Sequence, residues 1–134
     1  MRCSATLEMS GKRHLLDTNA IIALLKGNTQ LVNCLNQADW IGISIISQLE
    51  FLAFANLSDT DKDAFDRFLQ RIEVVGLETH HTVLLERIVE LRQQYRLKLP
   101  DAIIAATAVY SEAILVTADK VLNKLSDVSC LNFS

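Results

Sequence analysis

Apolar residues occur along this chain in two patterns, short unbroken runs and longer segments of helical period. The runs fall at residues 14–16, 40–44, 74–77, 113–117 and 128–133. Brief, almost wholly apolar or β-branched runs of this kind read as strands buried on both faces. Between them the spacing turns helical. Residues 18–26 form a helix closed by Gly27-Asn28, and residues 29–38 a second one with Leu31, Val32 and Leu35 on one side. In the segment 45–55, Ile46, Leu49, Glu50, Ala53 and Phe54 share one side. A turn at 56–60, with Ser58 or Thr60 as N-cap, introduces a helix with the stripe Phe65, Phe68, Leu69 and Ile72. Residues 79–96 repeat Leu84, Ile88, Leu91 and Tyr95 as a long surface helix, and residues 119–125 read as a short one.

One segment has no polar side. From Asp101 to Ser111 small and aliphatic residues occupy every side of the helical wheel, the pattern of a helix buried all round. Pro100 suits its first turn, where a backbone N–H would be unpaired anyway. Asp101 carries the segment's single charge, at the end where the helix dipole favours an anion.

Strands alternating with helices predict an α/β fold, a three-layer α/β/α sandwich with a central parallel sheet. At 134 residues the chain fits one domain, expected over residues 13–134, with residues 1–12 a leader or extension of no assigned role. The longest uncharged run is too short to span a bilayer and no apolar signal core precedes residue 13, so a cytoplasmic protein is expected. Cys3, Cys34 and Cys130 are odd in number and widely spaced, which reads as reduced thiols rather than a zinc site. His14, His80 and His81 read as strand, loop or surface residues, and Trp40 as a packing anchor. The net charge of −3 argues against a strongly basic nucleic-acid surface.

That picture changes when the acids are placed. In doubly wound sheets ligands gather beyond the carboxyl ends of the strands. Asp17 ends the first strand, Glu50 lies in the helix after the second, Asp101 opens the apolar helix, and Asp119 follows the strand that ends at Thr117. Glu50 is expected to be buried, since its helical neighbours are apolar and no Lys or Arg occurs between Lys26 and Lys62. Four converging carboxylates repel one another unless a cation neutralises them, and an all-oxygen set suits one or two Mg²⁺ or Mn²⁺ ions. Such ions activate water and stabilise the leaving oxygen of a phosphodiester. Setting the four acids aside turns the remaining net charge slightly positive, so a nucleic-acid substrate stays open.

Leu16-Asp17-Thr18-Asn19, Ser47-Gln48-Leu49-Glu50, the run from Leu99-Pro100-Asp101 to Ala106-Thr107-Ala108, and Leu115-Val116-Thr117-Ala118-Asp119 together resemble the ordered motifs of the PIN domain. The size and the Pro-Asp-Ala-Ile-Ile-Ala-Ala-Thr-Ala run resemble in particular the VapC toxins of toxin–antitoxin pairs. The resemblance implies a metal-dependent endoribonuclease in which Asp17, Glu50, Asp101 and Asp119 hold Mg²⁺ or Mn²⁺. It implies orienting roles for Thr18, Asn19, Ser47 and Thr117, a homodimer, and an antitoxin partner lying over the acidic site. The segment Lys120-Val121-Leu122-Asn123 lacks the further acid often found in the family, and the Asp119 position varies there between Asp and Asn.

Arg96, Lys98 and Lys120 are the basic residues nearest the acids in sequence and are candidates for the RNA backbone. The alternative reading is a non-catalytic PIN-like module that binds RNA or a protein. A haloacid-dehalogenase phosphatase would need Asp-x-Asp-x-Thr after the first strand, where this chain has Asn19 and Ile21. A receiver domain would need paired acids there, and Asp17 stands alone.

Overall fold

The structure, a computed structural model, describes residues 12–54 and 56–133. The expected leader, apart from Lys12, lies outside the described residues. Five parallel strands form one sheet in the order β3-β2-β1-β4-β5, where β1 is Arg13–Leu16, β2 Trp40–Ser44, β3 Glu73–Val75, β4 Ile114–Val116 and β5 Cys130–Leu131. Six helices flank it: α1 (Thr18–Leu25), α2 (Thr29–Leu35), α3 (Ile45–Leu52), α4 (Asp59–Leu69), α5 (Thr82–Tyr95) and α6 (Leu99–Tyr110). The α/β sandwich with a central parallel sheet is the expected architecture.

Alternation along the strands divides the core into two layers. Leu15 pairs with Leu115 on one face, and both pack with Leu84, Ile88 and Leu91 of α5 and the apolar run of α6. Leu16 pairs with Val116 on the other, packed with α1, α2, Phe51 of α3 and Phe65 of α4. Every residue from Ala102 to Ala108 is buried, as a helix apolar on all sides requires. Ser58 and Asp61 close the capping box that starts α4.

Trp40 anchors packing as expected, and does so over a glycine. Its ring covers Gly42, so a Cβ there would lie inside van der Waals contact with three ring atoms. The Arg13 guanidinium sits 4.3 Å from the ring centroid, and Trp40 Nε1 donates to Glu73 at 3.3 Å. His14 is fully buried on β1.

Three expectations need correction. The segment expected to be a helix at 119–125 is a turn with only a 3₁₀ piece at Leu122–Lys124: the Asp119 carboxylate caps it by accepting the backbone N–H groups of Val121 and Leu122, but the bonds from Lys124 to Val121 and from Leu125 to Leu122 close three residues back rather than four. The strand expected at 128–133 shortens to Cys130–Leu131 at the sheet edge. Cys34 is disulfide-bonded rather than reduced, a pairing that spacing along the chain does not record. Cys130 is a free thiol, pushed up to about 11 by burial and, less, by the charge of Asp17.

Candidate active site

All four expected acids line one cleft. Its volume is about 450 Å³, and Asp17, Glu50, Asp101 and Asp119 share its walls with Thr18 and Asn19 and with the apolar Ala53, Phe54, Ile104 and Leu122. The cleft lies beyond the carboxyl ends of β1 and β4, where the strands turn outward.

Asp17 is the most constrained. Its backbone N–H bonds the Val116 carbonyl at 3.1 Å, which ties it to the neighbouring strand. Its Oδ1 caps α1 by accepting the Ala20 N–H at 2.8 Å, and its Oδ2 accepts the hydroxyl of Thr117. The side chain is nearly inaccessible to solvent at 4% exposure. Burial pushes its carboxyl pKa up; the bonds from Thr117 and Ala20 oppose this, and the charges of Asp119 and Asp101 add to it.

Asp101 is half-buried in the first turn of α6. Burial raises its pKa, the charges of Asp119 and Glu50 raise it further, and Lys98 works in the opposite direction. The four carboxylates therefore feel one another across the cleft.

Asp119 is fixed by its own loop. Its N–H donates to Thr117 Oγ1 at 3.0 Å, and its carboxylate accepts from Val121 at 2.8 Å and Leu122 at 3.1 Å. Asn123 braces the turn from below, donating to the Thr117 carbonyl at 3.0 Å and the Asp119 carbonyl at 2.9 Å. Sequence reasoning missed this role, although its spacing of four from Asp119 was a usable signal.

Glu50 departs from expectation because it is exposed. Helix α3 buries Ser47 and Phe51 instead, and the side expected to face the core carries Leu49 at 55% and Phe54 at 45% exposure. The carboxylate is held by a neighbour across the cleft, accepting the Thr18 hydroxyl at 2.6 Å. Of the other residues singled out in the sequence, Thr18 and Thr117 contact the acids and Asn19 lines the cleft. Ser47 is fully buried outside the lining, its hydroxyl without a partner. Arg96, Lys98 and Lys120 are exposed and none lines the cleft.

Chemically the cleft is an all-oxygen donor set with no lysine or arginine among the described residues of its walls. Its acids are spread rather than clenched: among the described residues, the one trio of His, Cys, Asp or Glu whose ligand atoms lie within 4.8 Å of one another is elsewhere, at Glu78, His80 and His81. Spaced carboxylates suit a hard cation that keeps part of its water shell.

Comparison with known proteins places the chain in a family. No curated protein matches the chain significantly. Among solved structures, a chain of a toxin–antitoxin complex from Klebsiella pneumoniae is 31% identical, with 86% of this chain and 94% of that one covered and a TM-score of 0.71. A chain of VapBC2 from Rickettsia felis, bound to a DNA fragment from its promoter, is 23% identical with 90% and 98% covered and a TM-score of 0.72. One from DNA-bound VapBC of Salmonella typhimurium is 19% identical with 90% and 97% covered and a TM-score of 0.73. The PIN domain family matches residues 14–128, and with that match over most of its length the chain belongs to the PIN domain family.

Proposed function

We propose that this chain is a metal-dependent endoribonuclease and the toxin of a toxin–antitoxin pair. The observation that carries the reading is the convergence of Asp17, Glu50, Asp101 and Asp119 on one cleft at the carboxyl edge of the sheet.

The donor set fits Mg²⁺ or Mn²⁺, one or two ions, held by those four carboxylates. Two of the acids have their pKa pushed upward by burial and mutual charge; among the described residues no cationic side chain lines the cleft, and Lys98 offsets only part of the rise at Asp101. A divalent ion, when bound, supplies Lewis acidity toward a phosphodiester and makes an attacking water more acidic. The protein's own groups do the positioning. Thr117 fixes the orientation of Asp17, Thr18 that of Glu50, and the 119–123 turn that of Asp119, while rigid α6 carries Asp101. Asn19, in the cleft wall, is placed to orient a phosphate oxygen. Ser47 supports α3 from beneath rather than touching substrate. The exposed Arg96, Lys98 and Lys120 contact the RNA backbone. Attack by water then leaves a 5′-phosphate and a 3′-hydroxyl.

An antitoxin partner is supported by the named complexes and by a second, apolar groove of about 420 Å³. Ile22, Leu25, Phe51 and Leu57 line it, and Phe54 belongs to both it and the acid cleft, so one protein segment can cover both. A homodimer is supported by Leu49 and Leu52 on α3 and Val83 and Val89 on α5, all largely exposed. No helix among the described residues is long and apolar enough to cross a membrane. Cleavage of cellular RNA by the purified chain, with divalent ion and with EDTA, tests the reading. RNA binding without cleavage would favour a non-catalytic module.

A further inference from the structure

The crossover from β3 to α5 gathers a second set of ligands at the opposite end of α6 from the acid cleft. There the His81 ring lies against Tyr110, 5.7 Å between centroids, at the far end of the helix that Asp101 opens. Asp101 and Tyr110 are nine positions apart on α6, roughly 13 Å along the axis. The acids of the cleft are therefore not shared with this end.

The trio is drawn together by the local chain. The His81 N–H donates to the Glu78 carbonyl at 3.0 Å, closing a tight turn that brings residues 78 and 81 together. His80 Nε2 lies 3.2 Å from the Glu78 carboxylate, and the His80 and His81 rings meet edge to face with centroids 4.4 Å apart. The ligand atoms of all three side chains lie within 4.8 Å of one another. An exposed Glu–His pair alone is an ordinary surface contact of little energetic value. What it leaves unexplained is His81. That residue sits at the N-cap of α5 yet makes no capping bond, and its Nδ1 is shielded from solvent with no hydrogen-bond partner. Shielded ring nitrogens are ordinarily satisfied, and a metal ion held among the three side chains would engage the His81 ring through the nitrogen it brings to the trio.

We propose that Glu78, His80 and His81 bind a transition-metal ion of the Zn²⁺ class at a site separate from the acid cleft, stiffening the β3 to α5 crossover. Two imidazoles and one carboxylate select Zn²⁺, Ni²⁺ or Cu²⁺ over Mg²⁺, the reverse of the preference of an all-oxygen cleft. Three protein ligands leave the remaining position to water.

The test is calorimetric titration and thermal melting of the full chain with ZnCl₂. It uses the wild type, Asp101→Asn to weaken metal binding in the cleft, and Asp101→Asn combined with either His80→Ala or Glu78→Gln. His80 and Glu78 are exposed, so circular dichroism of these variants in metal-free buffer should match the parent. The expected result is one equivalent of Zn²⁺ that raises the melting temperature of Asp101→Asn, with affinity falling by more than about tenfold when His80 or Glu78 is replaced. MgCl₂ should not compete for it. Zn²⁺ binding that is absent from Asp101→Asn, or unchanged by the His80 and Glu78 replacements, would overturn the proposal.

Discussion

Thr117 and Asp17, one hundred residues apart in sequence, are joined by a hydrogen bond from the threonine hydroxyl to the buried carboxylate. The same Thr117 oxygen accepts the backbone N–H of Asp119 at 3.0 Å, so one side chain sets the positions of two acids. Thr117→Val keeps the shape and removes both bonds. It should weaken Mn²⁺ affinity and RNA cleavage by about 10- to 100-fold, with Thr117→Ser close to wild type, as read by metal titration and initial rates. Equal activity of the valine variant would show that Thr117 does not orient the site.

Burial of a carboxylate beside like charges makes a stability prediction. Asp101 has a folded-state pKa raised above its ordinary 3.8, so its contribution to stability is present below that value and is lost as pH rises through the folded pKa. Asp101→Asn should therefore melt at a higher temperature than wild type in EDTA at neutral pH. The difference should close in acid, and Mg²⁺ should raise the wild-type melting temperature more than the variant's.

Gly42 and Trp40 offer a packing test. Because the Trp40 ring occupies the space of a Cβ at residue 42, Gly42→Ala forces the indole or the strand to move. A loss of about 1–3 kcal/mol is expected in chemical denaturation. No loss would mean that the ring is free to swing aside.

His14 titrates in the opposite sense to the cleft acids. Burial holds its pKa below the ordinary 6.5, with the nearby Lys12 backbone partly opposing. Its contribution is present above about 6.5 and is lost as pH falls toward the folded value, because the unfolded chain takes up the proton first. Between about pH 7 and 5 the wild-type melting temperature should fall more steeply than that of His14→Gln. The cleft acids are common to both proteins, so the difference between the two curves isolates His14.

Much of this was legible in the sequence because its signals are local. Asp17, Asp101 and Asp119 sit where an apolar strand stops or an apolar helix starts, and the parallel sheet brings those junctions to one edge. Glu50 was placed correctly on its helix and wrongly in its environment. A helical wheel reports that Leu49 and Phe54 lie near it but not how far anything covers them, and in this chain both stay about half exposed. The turn after Thr117 was misread for the converse reason. Asp119 caps the segment as a helix start would, but the backbone bonds that follow close three residues back rather than four, a difference that apolar spacing does not record.

The central claim is that the four acids make this chain a metal-dependent ribonuclease, and cleavage of total cellular RNA by wild type and Asp101→Asn tests it most directly. Wild type should cut with Mn²⁺ or Mg²⁺, leaving 5′-phosphate and 3′-hydroxyl ends, and should stop in EDTA. Asp101→Asn, with an unchanged circular dichroism spectrum, should stay inactive with either ion. Cleavage that persists in EDTA, or proceeds at the wild-type rate in the variant, would contradict the assignment.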